Sequence, residues 1–253
     1  MQMNIETTLT PSEFSAIANS DLQETACVVL DILRATSSFV TALHNGAREI
    51  VAVREIPEAV VFQTRRPDIL LAGERDGVKI NAGQSGGIDF DLGNSPREFT
   101  RDKIQGRTIV STTTNGTRAL RSCSKAKIVL VASLLNLKAT ADFLQGKGFP
   151  AVLLVCAGTG QNAALEDILA AGALADLLVT RGVTISPLPD ATEVARRTYL
   201  QAQPDFSAVF DNTQNARRLR TIPELQQDVA FCRQWDHFNL VAVMGIDGAI
   251  RKL

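Results

Sequence analysis

The residues best suited to chemistry stand directly behind short apolar runs. Asp31-Ile32-Leu33-Arg34-Ala35-Thr36-Ser37 follows the first run and Gly73-Glu74-Arg75-Asp76-Gly77 the third. Thr112-Thr113-Thr114-Asn115-Gly116-Thr117-Arg118, Ser133-Leu134-Leu135-Asn136 and Cys156-Ala157-Gly158-Thr159-Gly160-Gln161-Asn162 follow the last three. These types suit anion handling. Hydroxyls, amides and free N–H groups at a helix start donate to phosphate oxygens, and glycine lets backbone approach a ligand. Arg34, Arg75 and Arg118 can grip an oxyanion with two parallel hydrogen bonds. Asp31, Glu74, Asp91, Glu166 and Asp167 are hard oxygen donors that suit Mg²⁺ better than zinc. Together they point to a metal-assisted phosphoryl site.

Each group also has a plainer use. Asp31 can cap the helix behind it, Glu166-Asp167 can be first-turn acids that favour the helix dipole, and Arg34 and Arg118 can be solvated. The weight rests on recurrence at five strand ends, because ligands of open α/β sheets bind outside the carboxyl ends of strands.

The elements that must position these groups follow from alternating patterns. Strands are expected at Ala26–Leu30, Glu49–Val53, Asp68–Ala72, Thr108–Ser111, Lys127–Ala132 and Ala151–Val155. Helices are expected from Ala35 and over Pro57–Arg66, Gly116–Cys123, Leu137–Leu144 and Ala163–Thr180. Continuous Val/Ile/Leu strands between helices predict a three-layer α/β/α fold with a mostly parallel sheet, mixed at its edge. Residues 1–253 read as a single domain. Residues 73–106 read as a glycine-rich active-site loop, with six glycines between Gly73 and Gly93. Residues 187–253 read as mainly helical (Ala191–Gln201, Asn212–Leu219, Pro223–Trp235), closing with an edge strand at Leu240–Val243.

Composition narrows the function. With 26 Lys+Arg against 27 Asp+Glu, there is no basic excess for a nucleic-acid backbone. No apolar run is long enough to cross a membrane, and the start of the chain lacks a secretory signal. The four cysteines are scattered and read as reduced, packed thiols of a cytoplasmic protein. Two histidines are too few for a three-His zinc site. The G-x-x-x-x-G-K-[ST] loop, the G-x-G-x-x-G fingerprint and the G-x-S-x-G elbow are absent. Leu33 stands where the D-x-D-x-T start of aspartyl-phosphate phosphatases has its second Asp.

The blocks Asp31-Ile32-Leu33-Arg34-Ala35-Thr36, Gly73-Glu74-Arg75, Phe90-Asp91-Leu92-Gly93-Asn94-Ser95-Pro96, Thr113-Thr114-Asn115-Gly116-Thr117-Arg118-Ala119 and Glu166-Asp167 occur in that order. From Val28 to about Val243 the chain resembles the 2-phosphosulfolactate phosphatase family. The resemblance implies an α/β fold of its own type and a Mg²⁺-dependent hydrolase. Its substrate would be 2-phospho-3-sulfolactate or a related 2-hydroxy acid phosphate; in methanogens that step leads toward coenzyme M. On that reading Asp31, Glu74 and Glu166 or Asp167 hold Mg²⁺, and Arg34, Arg75 and Arg118 clamp anionic groups. Thr36, Thr113, Thr114, Asn115, Gly116, Thr117, Ser133, Asn136 and Gly158 bind substrate, with Asn94 and Ser95 completing the pocket. Direct attack by water and an aspartyl-phosphate on Asp31 both stay open. Residues Asn81–Ile88 look inserted relative to the family and are expected beside the site. A homodimer is expected from family size and composition. Two other functions share these residues: a non-catalytic binder of small anions, and a phosphotransferase.

Overall fold

The computed structural model describes residues 2–183 and 187–253. Its first half runs β1 (Asn4–Thr8), α1 (Phe14–Asn19), β2 (Thr25–Leu30), α2 (Ala35–His44), β3 (Glu49–Ala52), α3 (Ile56–Arg65), β4 (Leu70–Arg75) and β5 (Val78–Lys79). Then come α4 (Ala82–Ser85), α5 (Arg101–Ile104), β6 (Thr108–Thr112), α6 (Gly116–Ser122), β7 (Ile128–Ala132), α7 (Leu137–Lys147) and β8 (Ala151–Cys156). The remainder is α8 (Leu165–Thr180), α9 (Asp190–Ala202), α10 (Phe206–Asp211), α11 (Gln214–Arg220), α12 (Gln226–Cys232), β9 (Ala242–Met244) and β10 (Ala249–Lys252).

The strands form one sheet in the order β1-β8-β2-β7-β9-β10-β3-β6-β4-β5. Strands β1, β8, β2 and β7 are mutually parallel, as are β3, β6 and β4. The two parallel sets are joined by the antiparallel hairpin β9–β10. Alternation along β2 and β7 splits the core by face. Cys27, Val29, Val129 and Val131 pack with α1, α2 and α6, while Ala26, Val28, Leu30 and Leu130 pack with α7, α8 and α9. This is the expected three-layer arrangement. Among the described residues no helix is long and apolar enough to cross a membrane, and all four cysteines are free and buried.

The structure corrects three expectations. The strand near Leu240–Val243 lies in the interior of the sheet, between β7 and β10, and the edges are β1 and β5. A four-residue apolar run does not reveal its neighbours, and the partner Ala249–Lys252 reads as polar because its last two residues, Arg251 and Lys252, are both exposed. Residues 73–106 carry short elements (β5, α4 and α5) instead of one long loop. Residues Asn81–Ile88 pack toward α3, with Ile88 against the Val53–Ile69–Phe90 cluster, and do not line the cavity described below.

Helix α8 is apolar nearly all round because it is wedged between the sheet and α9. Gly172 makes that approach possible: a β-carbon there would stand 2.0 Å from the Ala195 carbonyl oxygen. Gly172→Ala is therefore expected to cost about 1–3 kcal/mol by overpacking. Denaturant unfolding measures it; an unchanged midpoint would show that α9 shifts freely.

Candidate active site

A cavity of about 260 Å³ opens at the carboxyl ends of the strands. Its walls come from the turn after β2 (Asp31, Leu33, Arg34), from β4 and beyond (Glu74, Asp76, Gly77, Asn94), from the turn after β6 (Thr113, Thr114, Asn115) and from the turn after β8 (Gly158, Thr159, Gly160). The fifth wall is α11 and its end: Asn215, Arg218, Leu219 and Ile222.

The convergence is not possible on a flat sheet. β2 and β6 are five positions apart, about 24 Å at ordinary strand spacing. Yet a β-carbon at Gly116 would lie 2.8 Å from Asp31 Oδ2 and 2.8 Å from Ala35 Cβ. The sheet therefore curls, bringing the starts of α2 and α6 together over one core that includes Val29, Val131, Ala72 and Ile109.

Asp31 is locked by its own turn. Its N–H donates to Thr36 Oγ1 (3.0 Å), and the Thr36 hydroxyl donates back to the Asp31 carbonyl (2.9 Å). Oδ1 accepts from the Ala35 N–H (3.0 Å), so this oxygen does cap α2. Oδ2 has no hydrogen-bond partner among the described residues and faces the space that Gly116 leaves open. Burial pushes the carboxyl up to about 7; the Ala35 N–H opposes this, Glu74 and Glu166 add to it, and Arg34 lowers it.

The other carboxylates divide by use. Glu74 has both oxygens engaged: Oε1 accepts from the Thr114 N–H and hydroxyl, and Oε2 from the Gly77 N–H at 2.7 Å. Asp167 likewise accepts from the Ile32 N–H (2.8 Å) and the Gly158 N–H (2.9 Å), pinning two turns together. Burial, then the neighbouring Asp31 and Glu166, hold its carboxyl well above the ordinary range. Glu166 accepts from Asn215 Nδ2 at Oε1 (2.5 Å), while its Oε2 is buried without a partner. Burial raises its pKa against that hydrogen bond. Thr113 Oγ1 and Asn115 Oδ1 are also buried, and like Glu166 Oε2 they have no partner among the described residues. The Asn115 amide nitrogen is already taken by the Ala157 carbonyl (2.9 Å).

Arg34 is buried at the cavity wall, donating from Nη1 to Asp228 Oδ2 (2.8 Å) and from Nη2 to the Gly77 carbonyl (2.6 Å). Asp228 Oδ1 accepts from the Ser95 hydroxyl (2.7 Å). Ser95 thus supports Arg34's partner and does not line the cavity.

Other expected residues stand elsewhere. Arg118 lies over the Phe14 ring, 5.9 Å from its centroid, and is not at the cavity. Arg75 donates to its neighbour's carbonyl and to Thr112 Oγ1. Thr36 and Thr117 bond only to their own turns. Ser133 and Asn136 cap each other's backbone, and Asn136 also donates to the Leu240 carbonyl. Arg118 packs on a ring, and the others bond backbone or a neighbouring hydroxyl, uses that strand-end position does not disclose. Asp91 bonds the Leu71 N–H away from the cavity.

Asp76 and Thr159 stand in the strand-end blocks without an expected role, and sequence reading missed Asn215, Arg218 and Asp228. Asn215 and Arg218 stand three apart on α11, so they share a face; that spacing was the only available signal. Asp228 looks in sequence like an ordinary first-turn acid.

Among the described residues no three His, Cys, Asp or Glu side chains form a ready-made metal site. The cavity is nevertheless strongly acidic. Asp31, Glu74 and Asp76 line it with Arg34 and Arg218, and Glu166, Asp167 and Asp228 stand behind, where Arg97 Nη1 lies 3.7 Å from Asp228 Oδ1.

The sequence profile of the family described as 2-phosphosulpholactate phosphatase matches residues 12–245. A protein of Caldanaerobacter subterraneus subsp. tengcongensis named "Probable 2-phosphosulfolactate phosphatase" is 37% identical over 232 residues, covering 90% of this chain and 91% of that protein. Proteins of the same name from Thermotoga petrophila (38%, covering 86% and 88%) and Caldicellulosiruptor saccharolyticus (33%, covering 92% and 94%) are similar along the same length.

Proposed function

Because the chain belongs to the 2-phosphosulpholactate phosphatase family, we propose that it is a Mg²⁺-dependent phosphatase. The proposed substrate is 2-phospho-3-sulfolactate or a related 2-hydroxycarboxylic acid phosphate. The observation that carries the reading is a pair of hard oxygens at one cavity with no hydrogen-bond partner among the described residues, Asp31 Oδ2 and Asn115 Oδ1, with the unpartnered Glu166 Oε2 buried behind them. Mg²⁺ is held by one or two carboxylates together with substrate phosphate and water, and this oxygen-only set fits it. Asp31 and Glu166, with the Asn115 carbonyl, would hold the ion. An anionic ester would otherwise meet three lining carboxylates, Asp31, Glu74 and Asp76, against two guanidiniums.

When bound, Mg²⁺ neutralises phosphate charge and acidifies a coordinated water. The chain's own groups do the rest. Arg34, held rigid by Asp228 and the Gly77 carbonyl, presents its remaining N–H groups to phosphate oxygens without a reorganisation cost. The unpartnered Thr113 hydroxyl donates to another oxygen. Glu74 keeps the turns after β4 and β6 in register, so that Thr113 and Asn115 face the cavity together.

Ligating carboxylates must be deprotonated. Asp31 holds a proton up to about pH 7 in the metal-free protein, so Mg²⁺ should bind better at pH 8 than at pH 6. Phosphate release from 2-phospho-3-sulfolactate and 2-phospholactate is expected to fall by at least about 100-fold in EDTA and to return with Mg²⁺. The Mg²⁺-induced rise in melting temperature should be larger at pH 8. Turnover that ignores EDTA would remove the metal; no phosphate from any ester in the presence of Mg²⁺ would remove the hydrolase.

A further inference from the structure

The sequence reading assigned three arginines to anion binding, and the structure leaves only Arg34 of them at the cavity. The second guanidinium there is Arg218, on α11. Its partner is unlike Arg34's. Arg218 Nη2 stands 3.4 Å from Asp76 Oδ1, with the side chains 46% and 96% exposed. The Arg34–Asp228 pair is 2% and 0% exposed. An exposed, long ion pair contributes little and is readily exchanged; a buried one is not.

The helix that carries Arg218 is fixed at the site. Asn215, one turn earlier, donates to both Glu166 Oε1 (2.5 Å) and Thr159 Oγ1 (2.6 Å). Leu219 and Ile222 line the same cavity wall. A planar guanidinium matches a carboxylate or a sulfonate with two parallel hydrogen bonds.

We propose that Arg218 receives the second negative group of the substrate, the carboxylate or sulfonate beside the phosphate ester, in exchange for Asp76. Arg34 serves the phosphate and Arg218 selects what is attached to it. This rests on the phosphatase reading above.

The test compares Arg218→Gln and Arg218→Lys with the unaltered protein on two esters: 2-phospholactate, which carries the second anion, and phenyl phosphate, which does not. The readout is the ratio of their kcat/KM values, with melting temperatures to confirm folding. Arg218→Gln is expected to lower the ratio by about 10–100-fold, mostly through KM, the size of a lost charge-assisted contact. Arg218→Lys keeps the charge and should fall between. An unchanged ratio in Arg218→Gln, or a lysine variant no better than glutamine, overturns the assignment. If neither ester is hydrolysed, the phosphatase reading fails while calorimetry still decides the inference. In Arg218→Gln the Kd for 3-sulfolactate should rise at least about tenfold more than that for inorganic phosphate. Equal weakening overturns it.

Discussion

Asp31→Asn is expected to lower turnover by at least about 1,000-fold and, above pH 7, to make the metal-free protein more stable. The two effects share a cause. Asn preserves the Oδ1 contact with the Ala35 N–H, so the turn persists, but it removes the charge that Oδ2 offers to a cation. The charge is costly in the folded state: burial, with Glu74 and Glu166 nearby, lifts the carboxyl to about 7 from 3.8. The folded protein therefore binds a proton that the unfolded chain has already released between those values. Stability from this group is complete below the unfolded pKa and is lost as pH rises through about 7. At pH 8 the cost approaches about 4 kcal/mol. In EDTA the melting temperature of Asp31→Asn minus that of the unaltered protein should be positive at pH 8, shrink toward pH 5 and vanish only below about pH 4. A difference independent of pH would mean that Asp31 carries no buried charge. Full Mg²⁺-dependent turnover in the variant would remove Asp31 from the chemistry.

Asp228→Ala should have the largest effect on stability. Asp228 is wholly buried and accepts from Arg34, itself 3% exposed, and from Ser95. Removing one member of a buried pair leaves the other charge without compensation, at about 3–5 kcal/mol, which lowers the melting temperature by about 10 °C in a chain this size. Asp228→Asn keeps one acceptor for Arg34 and should lose less stability. Its KM for phosphate esters should still rise, because the guanidinium is no longer charge-held. Thermal scans together with steady-state kinetics read both. A melting temperature within about 2 °C of the original for the alanine variant would show that Arg34 finds another partner.

The strand-and-helix alternation was legible because buried parallel strands are uniform in residue type, as in Ala26–Leu30 and Ala151–Val155. Strand ends then located Asp31, Glu74, Thr113, Asn115 and Gly158 at one cavity. Position on a strand end does not say which way a side chain turns. Arg118 turned to the Phe14 ring, and Ser133 and Asn136 turned back to cap their own chain. The contribution of α11 and α12 was hidden for a different reason. Asn215, Arg218 and Asp228 reach the site only through tertiary packing, and each looks ordinary on a short amphipathic helix. The sheet's centre was misread because β9 and β10 are short and find burial only in each other's company.

Asp31 and Gly158 belong to one parallel set of strands, Glu74 and Thr113 to the other, and the residues between Ala242 and Lys252 clasp the two sets. A chain emerging from the ribosome must therefore make eight strands before the pair that closes the middle. Until then β7 and β3 offer open backbone to any stray strand, a known route to aggregation. A nonsense codon between Arg233 and Ala242 would delete no member of the pocket and still leave its two sides unjoined.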